Sequence, residues 1–191
     1  MTDTQKKPLW KNELVWLFLL TSGLFAILYS KFILGGYAYV FTDTGADTMQ
    51  INYAQYGLFS SLFRSGESGY VLQAGLGMDV SSYYPAYLIP YNLLILLAPQ
   101  RLLPWAVLAS AYLKMITISL VGYLFYRKLM QDGIGTMAAA LAWTFSGYVI
   151  LWGQHYGFCT CMALFTVFMY FLQCYLNGEK RWKSAGLVLT V

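Results

Sequence analysis

The chain has 191 residues, 59% of them hydrophobic and only 10% charged, with a mean hydropathy of +0.54. Water-soluble domains carry roughly 25% charged residues, so this composition excludes an ordinary soluble globular domain. The net charge of +4 does not mark a nucleic-acid surface, because the basic residues stand in short clusters at the ends of apolar runs, where they encode membrane topology.

Residues 1–13 read as a short cytoplasmic N-terminus carrying Lys6, Lys7 and Lys11. Residues 14–34 are the first apolar run, long enough to cross ~30 Å of hydrocarbon as a helix. A signal peptide has a shorter apolar core that ends at a small-residue cleavage site; this run lacks a clear site and is followed by further apolar segments. Residues 35–103 form a polar, tyrosine-rich loop, and spans are predicted at 104–126, 135–152 and 158–176. Another apolar segment begins at 184 and runs to 191, which predicts that the chain is the N-terminal portion of a larger protein. The expected fold class is all-α: a polytopic helical membrane protein with interfacial helices in its first outer loop.

A shorter apolar stretch, 85–98, decides the topology. If it crosses the membrane, the basic clusters fall on opposite sides. If it lies at the interface, Lys6, Lys7, Lys11, Arg127, Lys128, Lys180, Arg181 and Lys183 all share one side, and only Arg64 and Arg101 fall clearly on the other. The positive-inside rule selects the second arrangement. About 14 residues is also short for a span and suits a re-entrant or interfacial helix. The loop 35–103 and a tight turn at 153–157 are therefore expected outside the cell, in a multi-pass protein of the cell membrane.

Within the loop, Met49, Tyr53, Tyr56, Phe59 and Phe63 recur at spacings of four and three, which predicts an amphipathic helix over about 47–63, lying on the bilayer surface. Gly66, Gly69, Gly75 and Gly77 interrupt regular structure after it. Tyr83, Tyr87 and Tyr91 share one face of the short helix at 85–98. They fit either an aromatic belt at the headgroups or a stacking surface for a sugar ring.

Carboxylates are scarce, and two of the eight, Asp43 and Asp47, stand together at the start of the loop. Asp47 has two readings. Asp47-Thr-Met-Gln50 has the spacing of a helix capping box, and a carboxylate fixed at a helix start is also well placed to act as a base. Lys114 lies deep in the second predicted span, where a cation is costly unless it pairs, snorkels or lines a wet cavity; it suits either a lipid-linked phosphate or a carboxylate partner. Lys31, near the outer end of the first span, suits snorkelling to the headgroups. His155, the single histidine, sits in the turn Trp152-Gly-Gln-His-Tyr-Gly157. It fits a substrate contact or proton shuttle as well as a plain polar residue at an interface. With no acidic or cysteine partner nearby it makes no zinc site. Cys159, Cys161 and Cys174 read as small apolar residues of a membrane helix. No phosphate-binding Gly-rich loop, His-Glu-x-x-His helix or hydrolase triad is present.

The ordered set Asp47-Thr-Met-Gln-Ile-Asn-Tyr53, Gly75-Leu-Gly-Met-Asp79, Tyr83-Tyr-Pro85 through Pro90-Tyr-Asn-Leu93, Leu113-Lys114 and Phe145-Ser-Gly-Tyr-Val149 resembles the N-terminal part of bacterial YfhO-type membrane proteins. Those belong with the GT-C glycosyltransferases. The resemblance implies a GT-C-like fold and transfer of a sugar from a polyprenyl-phosphate donor to a cell-envelope polymer such as a teichoic acid, at the outer face of the membrane. It places the catalytic acid residue of the first outer loop at Asp47. Asp43, Gln50, Gln154 and His155 would line the cleft, and Lys114 or Arg64 would balance the donor's phosphate. The second acidic residue that such enzymes often carry near the outer end of the fourth helix is absent here: Cys159-Thr-Cys161 occupies that stretch. No metal is therefore assigned, although GT-C enzymes include divalent-metal users. The reading from a different class is a transporter or lipid flippase with Lys114 as its midplane charge.

Overall fold

The computed structural model describes residues 12–40, 48–67, 69–72, 77–79, 89–130 and 132–179. The expected N-terminal lysines, the 184–191 segment, and Asp43, Asp47, Gly75, Tyr83 and Tyr87 lie outside the described residues. Apart from one two-residue strand pair, the regular structure among the described residues is helical. Among the described residues three helical segments, Gln100–Leu129, Gly133–Gln154 and Tyr156–Leu176, are long and apolar enough to cross a membrane. The chain divides into two compact units: a helical unit of Met1–Ser30, Lys114–Trp152 and Gly157–Val191, and a loop unit of Lys31–Leu113 with Gly153–Tyr156.

In the helical unit, α1 (Glu13–Leu28) is started by Asn12, whose side chain accepts the Leu14 amide at 3.0 Å. Its inward stripe is Leu17, Thr21 and Phe25, spaced by four, while Trp16, Leu19, Leu20, Ile27 and Leu28 are exposed. That apolar exposure carries no penalty against hydrocarbon. The first apolar run is not one straight helix: α1 stops at Leu28 and a one-turn α2 (Ser30–Leu34) follows. At 1.5 Å per residue α1 is about 24 Å long, short of the ~30 Å hydrocarbon layer.

Three further helices and a short piece complete this unit. They are α5 (Leu103–Leu129, from Lys114 onward), α6 (Gly133–Thr144), α7 (Gly147–Leu151) and α8 (Tyr156–Leu176, from Gly157 onward). The Asp132 carboxylate caps α6 by accepting the amides of Ile134 and Gly135. Leu17, Tyr123 and Ala140 form a common core. Small polar residues link the helices across it: the Thr21 and Ser119 hydroxyls are 2.7 Å apart, and the Trp143 indole donates to Thr166 at 3.0 Å. Charges gather at the ends. Glu13 accepts from the Tyr123 hydroxyl and lies 3.9 Å from Arg127, and Lys128 pairs with Glu179. The third span is interrupted where Ser146 turns extended (φ −61°, ψ 154°) between α6 and α7.

In the loop unit, a π-helical turn (Thr48–Tyr53) runs into α3 (Ala54–Ser65), in the region predicted for the amphipathic helix. The centre of its apolar stripe packs on protein: Phe59 and Leu62 join Val71 and Leu96 in a core against α4 (Pro90–Leu97), leaving Met49 and Phe63 exposed. Two hydrogen bonds tie the chain after α4 back to α3: Ser60 Oγ donates to the Ala98 carbonyl at 2.6 Å, and Gln100 Nε2 to that of Gly57 at 2.7 Å. At eight residues α4 is about 12 Å long, far less than a span. Strands β1 (Tyr70–Val71) and β2 (Met78–Asp79) pair antiparallel, with Tyr70 opposite Asp79. Gly77 just before β2 has φ +108°, and any Cβ there would also run into the Tyr70 ring.

Candidate functional site

The loop unit is closed by three buried tyrosines from distant parts of the sequence. Tyr39 follows α2, Tyr56 sits in α3, and Tyr156 ends the turn 153–156. The Tyr56 and Tyr156 rings stack with centroids 5.3 Å apart at 15°, and Tyr39 lies 5.8 Å from Tyr156 on another side. Tyr39 and the turn exchange hydrogen bonds. The Tyr39 hydroxyl donates to the Gly153 carbonyl at 3.3 Å, and the Tyr156 hydroxyl donates to the Tyr39 carbonyl. Tyr56 reaches Asn92 of α4 at 3.4 Å. Buried phenols need partners for their hydroxyls, and here two of the three partners are backbone carbonyls of loop segments. The tyrosines thus fix the path of the chain.

This clasp sets the turn beside the start of the π-helical turn. Thr48, fully buried, donates its hydroxyl to the Gln154 carbonyl at 3.1 Å. Thr48 is the residue after Asp47, so segments 106 positions apart meet at the start of the loop helix. Gln154 and His155 are half-buried in this turn, and Gln50 is exposed in the first helical turn after Thr48. Burial pushes the Tyr53 phenol above its usual pKa. π-Helical turns are rare and recur at functional sites.

Arg64 stands apart from this group. It is exposed in the last turn of α3, roughly 20 Å along the helix axis from Thr48. Lys114 belongs with the helical unit and is only 2% exposed. It lies about 16 Å along α5 from Leu103, and Cys159 and Cys161 of α8 are within electrostatic range. Cys159 directs its thiol to the Val149 carbonyl of α7, 3.6 Å away. No group of three or more His, Cys, Asp or Glu among the described residues is placed to hold a metal ion; Asp43 and Asp47 lie outside those residues.

Tyr39 and Tyr156 were not singled out from the sequence. Tyr156 sits within the turn already marked by His155, and the signal for it was a bulky phenol placed where a tight turn usually favours small residues. Tyr39 carries no local signal. Comparison of the chain with protein-family models, with curated proteins and with solved structures finds no match.

Proposed function

We propose that the chain is part of a GT-C-type membrane glycosyltransferase of the YfhO kind. It would move a sugar from a polyprenyl-phosphate donor to a teichoic-acid-like envelope polymer on the outer face of a bacterial membrane, with its own N-terminus in the cytoplasm. The observation that carries this reading is the hydrogen bond from Thr48 to the Gln154 carbonyl, which joins the segment next to Asp47 to the turn holding His155. In the proposed reaction the acceptor hydroxyl attacks the anomeric carbon while the bond from that carbon to the donor phosphate oxygen breaks. Polyprenyl phosphate departs, and Asp47 takes the proton of the attacking hydroxyl. Gln50, Gln154, His155 and Asp43 would orient the two substrates. Charge growing on the departing phosphate calls for a cation, a role for Lys114 or Arg64; the distance of Arg64 from Thr48 along α3 weighs against it.

The test is Asp47→Asn in the full-length protein, with sugar incorporation into envelope polymer as the readout and protein abundance as control. Loss of a general base lowers the rate by about a hundredfold or more. Unchanged incorporation at normal abundance sinks the assignment.

Two observations favour the second reading, a transporter or flippase: the burial of Lys114 within a span and the interruption of the third span at Ser146. Transporters place their sites on broken helices near the midplane. In that case Lys114→Met stops activity and Asp47→Asn spares it, the reverse weighting of the two substitutions.

A further inference from the structure

The short stretch after α1 encloses a cleft of about 400 Å³, lined by Lys31, Phe32, Gly35, Tyr37, Ala38 and Val40. This is within the ~300–1,000 Å³ of small-molecule sites. Its chemistry is lopsided. Among the described residues one ammonium group supplies its charge, and the rest of that lining is aromatic, aliphatic or glycine. Among the described residues the Lys31 ammonium makes no hydrogen bond or ion pair, and the residue is exposed. The contrast with the other described lysines is informative: Lys114 is buried and Lys128 is paired with Glu179.

The backbone keeps the cleft open. Gly35 donates its amide to the Lys31 carbonyl at 3.0 Å, and a Cβ at Gly35 would strike that carbonyl and press on the Tyr37 ring. Phe32 is held edge-on by Tyr39 at 5.1 Å, so one wall is anchored to the buried tyrosine clasp. The carbonyl end of α2 contributes an opposing partial charge, but a five-residue helix has little macrodipole beside a full ammonium charge.

We infer that this cleft binds the phosphate head of an amphiphile, with Lys31 on the phosphate and the first carbons of its hydrocarbon chain along Phe32 and Tyr37. A lone ammonium at the edge of apolar walls suits a head group that carries charge at one end and hydrocarbon at the other. Two sources share that chemistry, a polyprenyl phosphate and an anionic phospholipid. Binding here does not rest on the transfer reaction proposed above.

The experiment uses the full-length protein in phosphatidylcholine vesicles with three photoreactive probes: a polyprenyl phosphate, the matching polyprenol, and phosphatidylglycerol. Crosslinks to residues 32–40 are read by peptide mass spectrometry. The polyprenyl phosphate, the phosphatidylglycerol or both label this stretch about tenfold more than the polyprenol, the equivalent of one charge-assisted hydrogen bond. Lys31→Gln brings labelling down to the polyprenol level, and Lys31→Arg keeps it. Stronger labelling by polyprenyl phosphate identifies that lipid as the occupant, and stronger or equal labelling by phosphatidylglycerol identifies a bulk headgroup. Equal labelling by all three probes, or labelling that Lys31→Gln leaves unchanged, overturns the inference. Because no turnover is required, labelling that persists in Asp47→Asn separates this site from the fate of the transfer reading.

Discussion

In the helical unit the buried polar side chains are mostly small: Thr21, Ser119, Thr136, Thr144, Thr160 and Thr166, with Lys114, Tyr29 and Tyr123 as the larger exceptions. In the loop unit the buried polar groups include three tyrosines, with Thr48, Ser60, Asn92 and Ser110. The difference follows from the kind of chain each unit contains. Between apolar helices suited to lipid there is no hydrophobic gain in bringing leucines together, so close approach and short hydroxyl links decide the packing. A less regular segment can gain by burying large aromatic faces, and it must also satisfy the carbonyls of irregular chain. Tyr39 and Tyr156 do both at once.

That contrast can be broken at the clasp first. Tyr156→Ala removes a buried ring and its hydrogen bond to the Tyr39 carbonyl, at a cost of about 3–5 kcal/mol by analogy with other buried aromatic truncations. Proteolysis of the purified protein should then cut within residues 35–103 much faster, with the helical unit spared. Equal cleavage of both units would mean that the clasp does not belong to the loop unit alone. Gly77→Ala forces a side chain into a left-handed backbone against the Tyr70 ring. It should cost about 1–3 kcal/mol and open the hairpin, read by hydrogen exchange at Tyr70 and Asp79. The smallest effect is expected in the other unit. Thr21→Val removes the hydroxyl link to Ser119, and such links within membranes are worth about 0.6 kcal/mol on average. Reversible unfolding in mixed micelles should register a shift of that size. A loss as large as that of Tyr156→Ala would erase the distinction between the two units.

Much of the helical layout was legible because its signals are local. The four-and-three spacing from Tyr53 to Phe63 marked α3, and the length of 85–98 separated that stretch from the spans. The place of Lys114 inside an apolar run already marked it as exceptional, and in the structure it is buried within the protein. The break at Ser146 was less visible because its flanks are apolar; a hydroxyl residue followed by Gly147 inside such a run was the available sign. Arg64 was assigned to balance the donor phosphate, yet the helical turns from Thr48 to Ser65 carry it far along the axis from Thr48, since 1.5 Å per residue turns modest sequence distance into real separation.

By itself the sequence determined a membrane-suited chain of apolar helices and the residue types available for chemistry. Apolar length, charge position and side-chain period are properties of contiguous residues, so they survive without knowledge of the fold. Only the tertiary structure decided that Thr48 meets Gln154, that the Tyr156 hydroxyl donates to the Tyr39 carbonyl across 117 positions, and that Lys31 faces an open apolar cleft. Those contacts depend on how chain segments return to one another, and no local pattern in the chain encodes that return.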